Sequence, residues 1–377
     1  MARVATIVAA RLDVDESIAV ESAHWDAALA ALGFEVRRAA GMFGGSHHGP
    51  RHADDVTIRG LDATSGEPAP SAATIAAALD GSDLVVVENL ASLPSPAPVS
   101  AAVVGGLRQL QRHGTRVVLH HHDLPSQRRD RNDGNPEFPA RLDGALHVAT
   151  SQRSRRELLA LGCAPVAFVN PHVDLDAPAG DRSTTRAAFG FPDEALVLLV
   201  PARAAERKNI PGAVRFVQAL AGIVAVDRLR LWITGPVDAQ YAATLDRVIA
   251  KCPCPVTVGR AATAADAYAA CDAVLVPSAW ERFGRAPLEA VVARRPCVVG
   301  SYPVLGELEA GGLRFFAADE PAELVKYLAR PVPQFHAVNT RRARVNFSIE
   351  QLPERIGAAL ALLPDPLPSP TGTDPCT

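Results

Sequence analysis

The sequence predicts an α/β protein made of two Rossmann-like parallel-sheet domains. Three observations carry this. Short β-branched runs alternate with amphipathic, alanine-rich stretches, the rhythm of βαβ units. The alternation breaks once, near residues 171–183. The chain has 377 residues, 48% of them hydrophobic, enough for two cores of ordinary size.

In the first half, β-branched or apolar runs predict strands over 4–9, 35–39, 84–88, 116–120, 145–149 and 167–170. Between them, apolar residues at helical spacing predict helices over 20–32, 71–79, 99–113 and 151–161. Arg3, Arg11 and Asp13 interrupt the apolar start, which therefore reads as a first strand and not a leader. Residues 170–180 are loop-like and form the expected interdomain linker. The second half repeats the rhythm, with strands over 195–201, 229–235, 256–258, 273–276 and 296–300 and helices over 210–221, 239–250, 264–271 and 286–293. The expected domains are 1–172 and 173–347, then a final helix over 348–363 and a disordered tail over 364–377. Residues 41–60, with His47 and His48, read as a mobile loop.

A net charge of −3 and a pI near 6.4 exclude a nucleic-acid partner, since no strong positive field collects phosphates. No span of about 20 apolar residues occurs. The six cysteines are scattered without a disulfide framework, which fits the reducing cytosol; Cys252-Pro-Cys254 does not have zinc-site spacing. Arg128–Arg131 with Arg153, Arg155 and Arg156 form a basic stretch, either a solvated face or a contact for an anionic acceptor or lipid headgroups at a membrane's inner face.

The chemistry concentrates at 276–290. A short apolar strand ends there, Phe283-Gly284 supplies a turn, and Pro287 sits where a first helical turn belongs. A strand-to-helix junction offers free N–H groups and the positive end of a helix dipole, which suit a phosphate. Glu281 before the turn and Glu289 on the helix's first turn could grip hydroxyls on either side. These parts describe a cradle for a nucleotide-diphosphate-sugar.

The same segment resembles the Glu-x7-Glu motif of retaining glycosyltransferases of the GT-B fold, family 4 in particular. Two further segments agree: Val200-Pro-Ala-Arg203 running to Arg207-Lys208-Asn209, and Gly300-Ser-Tyr-Pro-Val-Leu-Gly-Glu-Leu308. The resemblance covers most of 190–350 and is looser over 1–170. It implies two domains facing across a cleft, with Arg203 and Lys208 clasping the donor diphosphate and the amides around Phe283, Gly284 and Arg285 assisting. It implies that Glu289 holds the ribose and Glu281 the transferred sugar. Gly235 and Arg260 follow strands on the donor side, with base contacts made by backbone near Arg260. In the first half, His120-His121-His122-Asp123 follow a strand, and the resemblance implies a histidine contact to the donor sugar, His122 first among the three. His120, His121, Asp123 and Arg128 are further candidate sugar or acceptor contacts. Adjacent strand histidines point alternately, so three converging on a metal are not expected. No metal or other cofactor is expected.

The implied activity is transfer of a hexose from GDP-mannose or a UDP-hexose, with retention, to an acceptor that is a small molecule, a glycan or lipid-linked. The competing readings are a nucleotide-sugar epimerase of the same fold and a non-catalytic nucleotide-binding protein. A dinucleotide oxidoreductase is disfavoured because no Gly-x-Gly-x-x-Gly follows a strand. The sequence departs from the family in lacking a glycine-rich loop after the first strand, which continues Arg11-Leu-Asp13, and in carrying Arg282 and Arg285 beside the turn. The sequence does not indicate an oligomeric state.

Overall fold

A computed structural model describes residues 2–14, 16–45, 53–93, 97–127 and 137–364. His47, His48, Arg128–Arg131 and the tail beyond Pro364 lie outside these residues. The chain divides into two compact units, Met1–His172 with Glu350–Thr377, and Val173–Ile349.

The first unit runs β1 (Arg3–Leu12), α1 (Ser17–Ala31), β2 (Phe34–Phe43), β3 (Val56–Thr57), α2 (Ala72–Ala78), β4 (Leu84–Glu88), α3 (Ala97–Arg112), β5 (Arg116–His121), β6 (Ala145–Ala149), α4 (Gln152–Ala160) and β7 (Val166–Phe168). The second runs α5 (Arg182–Ala188), β8 (Leu196–Val200), α6 (Ile210–Ala221), β9 (Leu229–Ile233), α7 (Ala242–Ile249), β10 (Val256–Val258), α8 (Ala264–Ala270), β11 (Ala273–Val276), α9 (Arg285–Val292), β12 (Cys297–Val299), α10 (Leu305–Ala310), β13 (Phe316–Ala317), α11 (Pro321–Ala329) and α12 (Pro333–Phe347). The last helix, α13 (Leu352–Leu360), belongs to the first unit.

Both sheets are parallel. Their orders are β3-β2-β1-β4-β5-β6-β7 and β10-β9-β8-β11-β12-β13. In each, the winding reverses beside the first strand, between β1 and β4 and between β8 and β11. Ligands of open α/β sheets bind at such switch points, beyond the carboxyl ends of the strands. The central strands read as continuous apolar runs because helices cover both faces. Leu198 and Leu275 enter one core of the second unit while Val197 and Val274 enter the other. In the first unit Leu352, Ile356 and Ala359 of α13 pack with Trp25 and Leu29 of α1.

The expected two Rossmann-like sheets are present, with several corrections at the level of elements. Residues 41–60 are not one loop. β2 continues through Phe43, with Gly41 so close to the next segment that a Cβ would lie 2.1 Å from Asp62 N. Val56–Thr57 then pairs with Ala39 and Ala40. The stretch expected as one helix over 348–363 opens as a 3₁₀ turn at Ile349–Gln351, and its α-helix starts at Leu352 with Pro353 in the first turn. The helix expected from 239 begins as a 3₁₀ turn through Tyr241. Helices α5, α10, α11 and α12 were not anticipated; α12 has a polar composition and buries a narrow face, Asn339, Ala343 and Phe347, that begins with a polar residue. Among the described residues no helix is long and apolar enough to cross a membrane.

Candidate functional site

At the switch point of the second unit the loop after β8 meets the loop after β11. Asn209 joins them. It adopts a left-handed conformation (φ 51°), its Oδ1 accepts from the Gly212 amide as the cap of α6, and its Nδ2 donates to the Pro277 carbonyl at 2.8 Å. This places Lys208 Nζ 2.5 Å from Glu281 Oε1. The two side chains are 15% and 14% exposed, so the pair is close to buried. Burial pulls the Lys208 ammonium below its ordinary value, against the attraction of Glu281, and Arg207 and Arg282 add positive charge in the same direction. Burial would raise the Glu281 carboxyl, but the charge and hydrogen bond of Lys208 hold it below the usual range. The cavity between β8, β11 and this pair has only about 10 Å³, room for about one water. The ion pair therefore fills it.

Arg203 lies at the rim. Its Nη1 is 3.1 Å from Asp238 Oδ1, both side chains being well exposed, a contact worth little by itself. Gly235 backs it: a Cβ there would stand 2.1 Å from Arg203 Cα, so only glycine lets the loops after β8 and β9 approach. Arg260 is exposed beyond β10.

α9 starts at Arg285, and Gly284 precedes it at φ +124°. A Cβ on Gly284 would meet Leu308 Cδ1 at 2.7 Å and Tyr302 Oη at 2.9 Å. Phe283 is 3% exposed and packs on Phe347 at a centroid distance of 5.8 Å. Its ring is a core anchor, and only its backbone belongs to the turn. Glu289 is not on the first turn of the helix, as expected, but on the second. There it accepts from Arg285 Nε and from Tyr268 Oη, each at 2.8 Å. Arg285 thus folds back along the helix onto Glu289.

In the first unit the histidine triplet splits by strand alternation. His121 turns one way, to Ser92 Oγ at 2.8 Å and His147 Nδ1 at 2.9 Å. His120 and His122 turn the other way, to Glu88 at the end of β4. Glu88 Oε2 lies 2.5 Å from His122 Nε2 and 3.0 Å from His120 Nδ1. His120 also packs on Trp25 at 4.6 Å. Burial would raise the Glu88 carboxyl, but the charge and contacts of the two imidazoles hold it down at about 2. Burial drives His121 well below its ordinary range, helped by the neighbouring His147. His120, His121, His122 and Asp123 are all buried, at 0%, 1%, 5% and 2% exposure. Of these candidate contacts, His120, His121 and Asp123 are held in the interior and His122 is the most exposed of the four. Asn89, at φ 63°, accepts the amides of His122 and Asp123 and fixes the turn.

Three ligand atoms on Glu88, His120 and His122 lie within 4.8 Å of one another, a set that could hold either a proton or a metal ion. Pairwise alternation, which argued against three converging histidines, permits two plus a carboxylate from the next strand. Sequence reasoning missed Glu88, Asn89, Asp238 and Tyr268, and it quoted Asn209 in a motif without giving it a role. An acid closing the apolar run Leu-Val-Val-Val-Glu88 was a visible signal. The others depend on contacts made across the fold.

Residues 195–331 match the family described as Glycosyl transferases group 1. A D-inositol 3-phosphate glycosyltransferase of Kineococcus radiotolerans is 34% identical over 194 residues, 46% of this chain and 42% of that protein. A D-inositol 3-phosphate glycosyltransferase 1 of Catenulispora acidiphila is 31% identical over 175 residues, 41% of this chain and 40% of that protein. The chain thus spans less than half the length of the curated relatives it matches. The fold is shared with the Anabaena protein HepE solved in complex with UDP-glucose (TM-score 0.73, 18% identity, 94% of this chain and 99% of that one). It is also shared with a glycosyltransferase of Rickettsia africae (TM-score 0.69, 16% identity, 96% and 99%). Residues 195–331 are therefore similar to the group 1 glycosyl transferases, within a chain that shares the GT-B fold.

Proposed function

We propose that the protein is a retaining glycosyltransferase that moves a hexose from a nucleotide-diphosphate-sugar to an acceptor, without a divalent metal. One observation carries the reading: Lys208 and Glu281, 73 positions apart in sequence, meet at the switch point of a nucleotide-binding type of sheet. Arg207 and Arg282 add positive charge around them, so a diphosphate finds an electropositive seat without a metal. In this reading the donor parts the ion pair. Lys208 passes to the diphosphate with Arg203, and Glu281 is released to the sugar. The α9 amides and the two cations stabilise the charge that develops on the leaving nucleoside diphosphate. Glu289, already an acceptor of two hydrogen bonds, takes the ribose hydroxyls. A departing phosphate oxygen can itself receive the acceptor's proton, so retention needs no strong side-chain base on that face.

The donor is proposed to be a UDP-hexose or GDP-mannose. HepE, bound to UDP-glucose in its solved structure, supports trying the uridine sugar first. A thermal-shift screen over nucleotide-sugars tests the reading, because a ligand that binds only the native state raises its melting temperature by mass action. A shift with a nucleotide-sugar that disappears in Lys208→Ala supports the seat. If no nucleotide-sugar stabilises the protein, the seat is wrongly assigned. Turnover of donor only when a second substrate is present separates transfer from epimerisation.

A further inference from the structure

The connection from α7 to β10 carries two cysteines that the donor seat does not use. Cys252 and Cys254 flank Pro253, and their sulfurs lie 3.7 Å apart. The backbone holds them there. The Cys252 amide donates to the Ile249 carbonyl at the end of α7, and Pro253 fixes its own φ. Val256 then pairs with Leu231 in the sheet.

The two thiols are unequal. Cys254 is 6% exposed and sits in the core under β8 and β9, whereas Cys252 is partly exposed. The hydrogen bond from Cys254 brings the Cys252 thiol down to about 7, so part of it is thiolate at neutral pH. Burial pushes the thiols of Cys163, Cys271 and Cys297 up, and all three are interior. An accessible thiolate backed by a second thiol is the arrangement of a nucleophile with its resolving partner. A loop closed across a single residue restrains the unfolded chain little, so a bond here would not serve as a stabilising staple.

We propose that Cys252 and Cys254 are a modification site, a dithiol that closes to an intramolecular disulfide by exchange with low-molecular-weight disulfides. The Cys252 thiolate attacks one sulfur of the small disulfide, whose S–S bond breaks. One half joins Cys252 and the other leaves as thiolate. Cys254 gives its proton to solvent, attacks the Cys252 sulfur and expels the second half as thiolate. The protein loses two electrons and two protons, and the small disulfide becomes two thiols. The sulfurs close from 3.7 Å to about 2.05 Å, the length of a disulfide.

The test uses the full chain, reduced and freed of reductant, then exposed to glutathione disulfide, alkylated and mapped by peptide mass spectrometry. The 252–254 peptide should lose both alkylation sites and two hydrogens in mass, and dithiothreitol should restore both. Cys254→Ser should stop at a glutathionyl adduct on Cys252, and Cys252→Ser should leave Cys254 reduced. Full alkylation of Cys252 and Cys254 in the oxidised wild type overturns the proposal. So does a glutathionyl adduct on Cys252 that persists in the wild type, since it shows that Cys254 does not resolve it. The wild-type map decides without either variant, so a misfolded mutant does not obscure the result.

Discussion

Lys208 and Glu281 form a nearly buried ion pair, and the consequences of that differ from those of a surface pair. Removing one partner strands the other charge, which typically costs about 3–5 kcal/mol, whereas replacing both with uncharged groups often costs little. Lys208→Ala should therefore lower stability in urea more than Lys208→Met combined with Glu281→Gln. Equal losses would show that the pair is solvated. On activity, Arg203→Ala and Lys208→Ala should each lower turnover about 100-fold or more, the usual scale of a lost anion-stabilising contact. Glu281→Gln should lose far more turnover than nucleotide affinity, because its loss falls on the transition state.

His172 offers a test of pH dependence at the same scale. It is fully buried, and burial lowers its imidazole from 6.5 to about 4, with Arg355 contributing. The unfolded chain then binds the extra proton first as pH falls, so stability is present above pH 6.5 and drains away towards pH 4. At about 1.4 kcal/mol per pH unit this is at most about 3.5 kcal/mol. Glu88 acts lower, between the ordinary carboxyl range and its own value of about 2. Melting curves from pH 7 to 4.5 should fall less steeply in His172→Leu than in the wild type; parallel curves would remove His172 from the account.

At the scale of elements, two turns set the donor seat. Asn209 ends one loop in a left-handed conformation and caps α6. Asn209→Ala loses the cap and strains the backbone, for a cost of about 1–2 kcal/mol by urea denaturation. It should also loosen Lys208, the residue before it, and so weaken nucleotide binding. Gly284 is crowded by Leu308 and Tyr302 at a positive φ, so Gly284→Ala should shift the start of α9 and lower both stability and nucleotide affinity. An unchanged melting temperature in Gly284→Ala would mean that the junction is looser than its contacts imply.

For the whole molecule, the proposed chemistry makes two predictions. Transfer should continue in excess EDTA, since the cations at the seat of leaving-group charge are side chains. Loss of transfer in EDTA with recovery on adding Mg²⁺ or Mn²⁺ would show that those side chains do not suffice. An α-linked donor should give an α-linked product, read from proton coupling constants for a gluco-configured sugar or the one-bond C–H coupling for a manno-configured one. A β-linked product would refute retention.

The sequence by itself determined the two parallel sheets, because their central strands are apolar runs of five residues or so that only helices on both faces can cover. Residues 84–88, 145–149 and 273–276 were legible to the residue for that reason. It also marked Glu281 and Glu289 through the strand–turn–helix junction they bracket, and Arg203 and Lys208 through the resemblance of their segment to the glycosyltransferase family. What it did not contain was which partner each charge finds before a ligand arrives. Lys208 closing on Glu281, Tyr268 donating to Glu289, and Glu88 gathering two of three adjacent histidines depend on side chains from separate elements. Tertiary structure alone decided these, because a buried charge takes whatever counter-charge packing brings within reach, and that distance is not written in the order of residues.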